Sequence, residues 1–205
     1  MANSKILLAS SSIYRRQILQ KLGLSFDWAS PDIDESSQPE EKPAQLVHRL
    51  AETKARRLAS TYPNHLIIGS DQVATIDNQI IGKPHTHANA VTQLRSFRDR
   101  EVTFLTGLCL LNPAENRTQN SVESYKVRFR NLSDEQIENY LKREQPYDCA
   151  GSFKSEGLGI CLFEKLEGND PNTLIGLPLI ALTQMLANEG LGPLNQPANF
   201  FHPSN

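Results

Sequence analysis

The sequence predicts an α/β protein built on a mixed, twisted sheet flanked by helices. It opens with a short apolar run, Lys5-Ile6-Leu7-Leu8-Ala9, that passes through Ser10-Ser11-Ser12 into helical spacing. A second apolar run, Leu66-Ile67-Ile68-Gly69, continues through Val73–Ile76 and the turn pair Asp77-Asn78 to Gln79-Ile80-Ile81, a hairpin pattern. Helices and strands then recur without strict alternation, which indicates a mixed sheet.

Each element has its own signal. Lys5–Ala9 reads as a buried first strand, and any of the three serines can cap the helix that follows. Ile18, Leu19 and Leu22 give that helix its apolar face, and Gly23 stops it. Ser25–Ala29 alternates like a strand, and Ser30–Pro43, with three prolines, reads as a loop. Leu46, Val47, Leu50, Ala51, Lys54, Ala55 and Leu58 repeat at helical spacing. After the hairpin, Ala88–Phe97 is a helix, and Val102–Leu111 and Ser121–Phe129 are strands. Leu132-Ser133-Asp134-Glu135 starts a helix with Ile137, Tyr140 and Leu141 on its apolar face. Gly159–Phe163 reads as a strand, and Ile175–Leu186 as a final helix entered through Gly176-Leu177-Pro178.

The 205 residues fit one domain, placed at residues 1–191, with the proline-containing stretch 192–205 read as a disordered tail. With 21 Lys+Arg against 23 Asp+Glu the net charge is −2. No bulk field is available to hold nucleic acid or an anionic membrane, so a polyanionic ligand needs a local cationic site. Cys109, Cys149 and Cys161 are odd in number and widely spaced, which points to reduced thiols and not to a disulfide framework or a zinc site. No apolar run approaches a membrane span, and the first residues lack the apolar stretch of a signal peptide. A cytoplasmic location is the expectation.

Four polar clusters are read at the ends of apolar strands, where α/β proteins place ligands. Ser10-Ser11-Ser12-Ile13-Tyr14-Arg15-Arg16 offers helix N-terminal N–H groups, hydroxyls and the Arg15 guanidinium to an anion. Asp32-Ile33-Asp34-Glu35 offers hard oxygens suited to Mg²⁺. Asp71, in Gly69-Ser70-Asp71-Gln72, interrupts an apolar stretch, which is costly unless it has a partner or a task. Lys83 follows the hairpin in Gly82-Lys83-Pro84. Cys149–Gly159 carries three glycines that permit close backbone approach, with Glu156 between flexible positions. Each cluster alone also has an ordinary reading as a cap, a solvated loop or a turn. Together they describe metal-assisted hydrolysis of a phosphate ester.

These residues fall in seven ordered motifs: Leu8-Ala9-Ser10-Ser11-Ser12 with Arg15, Asp34-Glu35, Glu52-Thr53-Lys54-Ala55, Gly69-Ser70-Asp71-Gln72, Gly82-Lys83-Pro84, Ala150-Gly151-Ser152-Phe153 and Ile175-Gly176-Leu177-Pro178. From Lys5 to about Gly190 the chain resembles the Maf-like nucleoside triphosphate pyrophosphatases. The resemblance implies an ITPase-like fold with two lobes around a nucleotide-binding cleft. It also implies hydrolysis of a nucleoside triphosphate to the monophosphate and diphosphate with a divalent cation, Mg²⁺ or Mn²⁺. Ile13 stands where the family commonly has Pro, a change in helix-start rigidity more than in chemistry. Tyr14, Gln72 and Glu156 match the aromatic–Gln–Glu set of the 7-methyl-GTP branch, which usually has Trp where Tyr14 stands. A Tyr face attracts the cationic methylated ring, and a carboxylate accepts from guanine's N1–H and N2–H₂.

The roles implied are Asp71 as general base or metal ligand, Glu35 as a further cation ligand, and Ser10, Arg15, Lys54 and Lys83 on the phosphates. Arg15 and Lys83 join Asp71 as the catalytic set. The expected partner is a small-molecule nucleotide, with a homodimer as the expected assembly and no nucleic acid or membrane. The alternatives are a pyrophosphatase for other canonical or modified nucleotides, and a nucleotide-binding regulator of cell division without important turnover.

Overall fold

The computed structural model describes residues 5–195. Strand β1 (Lys5–Ala9) is buried from Ile6 onward and ends at the serine run. Ser12 caps helix α1 (Ile13–Gln20), its hydroxyl accepting from the Arg15 N–H, so the Pro-to-Ile change leaves a capped helix start. Strand β2 (Phe26–Ala29) and helix α2 (Pro43–Leu58) follow, the helix entered through Pro43 in its first turn. Strand β3 (His65–Ile76) is a single strand of 12 residues, turned by Asp77 and Asn78, both at positive φ, into β4 (Gln79–Ile81). Then come α3 (His87–Phe97), β5 (Glu101–Asn112), β6 (Arg117–Phe129), α4 (Asp134–Glu144), β7 (Phe163–Gly168), α5 (Asn172–Ile175) and α6 (Leu179–Asn188).

The sheet order is β2-β1-β3-β5-β6-β7, with β4 added to β3. β1 runs parallel to β2 and β3, and the remaining pairs are antiparallel, so the sheet is mixed as expected. Two expectations are corrected. Gly159–Phe163 is not a strand: Leu158–Leu162 is a 3₁₀ helix, and the strand begins at Phe163. A Cβ on Gly159 would lie 2.2 Å from the Lys154 carbonyl oxygen, so the chain here folds back on itself and cannot extend. The final helix starts at Leu179, not Ile175, because Gly176 ends α5 at φ 107° before Pro178. Of the stretch read as a tail, Pro193–Asn195 form a 3₁₀ turn, and residues 196–205 lie outside the described residues.

On one face of the sheet the long strands pass through two apolar cores. At one end, β1, α1 and α6 enclose Leu8, Leu19, Ile68, Leu108 and Leu182. At the other, α3 and α4 cover Phe97, Phe104, Phe129 and Phe163, joined by Phe153. Ile68 and Ala74 of β3, and Leu108 and Phe104 of β5, belong to opposite cores, so one continuous sheet carries both lobes.

Helix α2 covers the opposite face, where Ala51 and Ala55 pack with Ile67 and Cys109, and Val47 and Leu50 with Val73. A Cβ on Gly69 would sit 2.0 Å from the Ala51 carbonyl oxygen, and one on Gly107 would sit 2.1 Å from that of Val47. Only glycine permits this approach. It brings the α2 face that carries Ala51, Lys54 and Ala55 down to the strand. Among the described residues, no helix is long and apolar enough to cross a membrane.

Candidate active site

The site forms where β3 loses a neighbour. β1 pairs with β3 only as far as Gly69, and β4 begins pairing at Ala74. Between them, one edge of β3 is open. Asp71 is therefore midway along its strand, not at its end as the sequence suggested; the strand that ends there is β1. This is a topological switch point of the kind that receives ligands in α/β sheets.

The strand's alternation then distributes Gly69-Ser70-Asp71-Gln72 between two helices. Gly69 and Asp71 face α2. Ser70 and Gln72 face α5. Asp71 is buried, and its Oδ1 accepts from Lys54 Nζ at 2.6 Å. The same Nζ lies 2.8 Å from Glu35 Oε1, so one ammonium bridges two carboxylates. Burial raises the Glu35 pKa, but the Lys54 hydrogen bond and the charges of Lys54, Lys83 and Arg15 outweigh it and hold the pKa below the usual range. Asp34, paired with Glu35 in the sequence, instead accepts from its own loop at the Ser36 N–H, 2.9 Å away, and does not line the cavity.

On the other face, the short helix α5 and the Gly176 turn that ends it present main-chain carbonyls to the site. The site side chains use them. Gln72 Nε2 donates to the Thr173 carbonyl at 2.7 Å and contacts Leu174 O and Thr106 Oγ1 at 3.2 and 3.0 Å. Arg15 Nε donates to Gly176 O at 2.8 Å, and Ser70 Oγ lies 2.8 Å from the same oxygen. Arg15 is half-buried; desolvation lowers its pKa, opposed by the charges of Asp71 and Glu35. Its terminal nitrogens have no hydrogen-bond partner among the described residues. The Gln72 amide nitrogen has two hydrogens and three protein acceptors, so the group this residue can offer a ligand is its carbonyl oxygen.

Lys83 is exposed, on a loop tethered at both neighbours. Gln93 Nε2 donates to Gly82 O at 3.0 Å, and Asn89 Nδ2 donates to Pro84 O at 2.9 Å. No carboxylate lies within ion-pair distance of Lys83 among the described residues, which leaves its charge available.

A cavity of about 350 Å³ opens over this edge. Ser10, Tyr14, Arg15, Glu35, Lys54, Asp71, Gln72, Lys83 and Glu156 all line it. Residues up to 146 positions apart in sequence, counting from Ser10 to Glu156, are thus brought to one place. The cavity also contains Asp148, Cys149 and Lys154, to which the sequence reading gave no role. Their signal was proximity to the glycine-rich run. Burial pushes the Cys149 thiol pKa up.

Glu35 and Asp71 both line the cavity, and both contact the Lys54 ammonium. Among the described residues, no group of three or more His, Cys, Asp or Glu side chains gathers as a metal cage. Two carboxylates fit a Mg²⁺- or Mn²⁺-like ion whose remaining ligands are waters and substrate phosphates.

Comparison with solved structures finds a likeness to the Ham1 protein of Staphylococcus aureus. The TM-score is 0.52 at 12% identity, over 91% of this chain and 100% of that one. At that identity the likeness is one of fold, and it agrees with a mixed α/β architecture. The family model described as "Maf-like protein" matches residues 5–189, from the first strand to the end of the last helix. The chain belongs to the Maf-like protein family.

Proposed function

We propose that the protein is a nucleoside triphosphate pyrophosphatase, releasing diphosphate and a nucleoside monophosphate. The observation that carries this reading is the pairing of a buried carboxylate with unpaired cations in one cavity. Asp71 is fixed through one oxygen by Lys54, while Arg15 and Lys83 have charge to offer. In the step we propose, water attacks the α-phosphorus. A new P–O bond forms there, the bridging bond to the β-phosphate breaks, and diphosphate leaves with the electron pair. Asp71 orients the water and receives its proton. Arg15 and Lys83 stabilise charge on the phosphates, and Ser10 with the α1 N-terminus seats one of them. Glu35 would hold a divalent cation, which would supply charge neutralisation to the phosphate oxygens, and service as a second cation ligand is the alternative to Asp71's role as base. Lys54 balances Glu35 and Asp71, and would turn to the phosphates where a cation took its place beside them.

The substrate we propose is 7-methyl-GTP. Tyr14 supplies a π face for the cationic ring. Glu156, exposed at the cavity, accepts from the N1–H and N2–H₂ edge. Gln72 adds an acceptor, since its amide donors are engaged by the protein. Adenine lacks that pair of donors.

The test is kcat/KM for 7-methyl-GTP, GTP, ATP, dTTP and UTP, with and without excess chelator. The methylated nucleotide should lead, and chelator should abolish turnover. Glu156→Gln should cost 7-methyl-GTP about 1–3 kcal/mol relative to UTP. Tyr14→Leu should narrow the gap between 7-methyl-GTP and GTP by about 0.5–2 kcal/mol. A wild-type preference for UTP or dTTP would defeat the substrate assignment, and full activity in chelator would defeat the cation.

A further inference from the structure

The loop that carries Glu156 is short, polar and at the rim, yet it is anchored at three points to the C-terminal half of one helix. The Lys154 N–H donates to Tyr140 Oη at 3.1 Å. Lys154 Nζ donates to the Glu144 main-chain carbonyl at 2.8 Å, one of the carbonyls that the end of α4 leaves free. The Leu158 N–H donates to Glu144 Oε1 at 2.9 Å. Inside these anchors, the Gly157 N–H donates to Lys154 O at 3.3 Å and closes a turn with Ser155 and Glu156 at its centre. The fit is close: a Cβ on Gly157 would lie 2.9 Å from Glu144 Oε1. α4 is itself fixed, with Ile137, Tyr140 and Leu141 in the aromatic core beside Phe153 and Phe163.

From this geometry we infer that Glu144 is a positioning residue for base selection. It holds both ends of the Glu156 turn, with its main chain on one side and its carboxylate on the other, and so sets where the Glu156 carboxylate meets the base. Glu144 does not line the cavity and touches no phosphate-facing group. Its effect should therefore appear in discrimination among bases and leave the hydrolytic machinery intact. The inference rests on the reading of Glu156 as base-facing.

The experiment compares kcat/KM for the best and the poorest nucleotide in wild type, Glu144→Ala, Glu144→Gln, Gly157→Ala and Glu156→Gln, each with its Tm. Glu144→Ala should shrink the best-to-poorest ratio by about tenfold, the scale of one lost pocket contact. It should do so through the KM of the best substrate, with kcat for the poorest within about threefold of wild type. Gly157→Ala reaches the same contact from the loop side and should do likewise. Glu144→Gln keeps an oxygen for the Leu158 N–H and should restore the ratio. If Glu144→Ala lowers all nucleotides by one factor while Glu156→Gln collapses the ratio, Glu144 is merely structural and the inference falls alone. If Glu156→Gln leaves the ratio unchanged, the base-facing reading falls and takes the inference with it.

Discussion

At the scale of single residues, the site is organised by Lys54. Its position in the α2 pattern, between Ala51 and Ala55, already places a charge on an otherwise apolar face. A buried ammonium there needs an anion, and Asp71 lies 2.6 Å away. Each is the other's main compensation for burial. Lys54→Met should therefore lower stability by about 3–5 kcal/mol, because Asp71 is left charged and unpaired. Adding Asp71→Asn to that variant should recover part of the loss, measured by urea unfolding. Simple additivity of the two changes would mean the pair is not coupled. Asp71→Asn alone should reduce kcat by about 10²–10⁴-fold, the usual range for a lost general base. Nucleotide binding, followed by calorimetry, should stay within a few-fold. Near wild-type kcat would remove Asp71 from the chemistry.

At the scale of elements, loops are fixed to helices by identifiable pairs. The loop before α2, which delivers Glu35, is pinned by Arg49. Arg49 Nε and a terminal nitrogen donate to Glu41 at 2.6 and 2.8 Å, and the guanidinium also reaches Ser36 O at 3.0 Å. The Arg49 hydrogen bond, with that from the Gln38 N–H, brings the Glu41 pKa down from 4.5 to about 2. A depressed carboxylate pKa adds stability that is complete above the unfolded value and lost as pH falls through the folded one. The urea midpoint of wild type should exceed that of Glu41→Gln by a constant margin from pH 7 to 5. That margin should close between 4.5 and 2. A margin that does not change with pH would mean that the ion pair is not what holds the loop.

Periodicity located most elements because their apolar faces are regular. β1 matches its expected residues, and α2 begins three residues earlier than its first apolar repeat, at Pro43. Gly159–Phe163 departs from its strand pattern because a short apolar run cannot reveal that a neighbouring carbonyl blocks extension. β6 begins at Arg117, earlier than its apolar pattern, because the ladder to β5 continues through Arg117–Asn120 without burying them. Ladder bonds leave no mark on hydropathy.

At the scale of the whole molecule, the motifs were legible but their wiring was not. Residue type and local turn chemistry singled out Ser10, Arg15, Asp71 and Lys83. They did not reveal that the Gly176 and Thr173 carbonyls hold Arg15 and Gln72, or that Glu144 anchors the turn around Glu156. Those contacts join segments far apart in sequence, and main-chain carbonyls have no residue signature. The open β3 edge follows from strand lengths: β1 is 5 residues long and β3 is 12, so most of β3 extends past its parallel partner. The family match over residues 5–189 covers both lobes and all the cavity residues named above, so the site belongs to the fold as a whole.

The central claim is attack of water on the α-phosphorus with diphosphate as the leaving group. The most direct measurement is a turnover in ¹⁸O-labelled water, with the products separated and weighed by mass spectrometry. The account predicts one ¹⁸O in the nucleoside monophosphate and an unlabelled diphosphate. Label in the diphosphate, or release of orthophosphate with a nucleoside diphosphate, would contradict it.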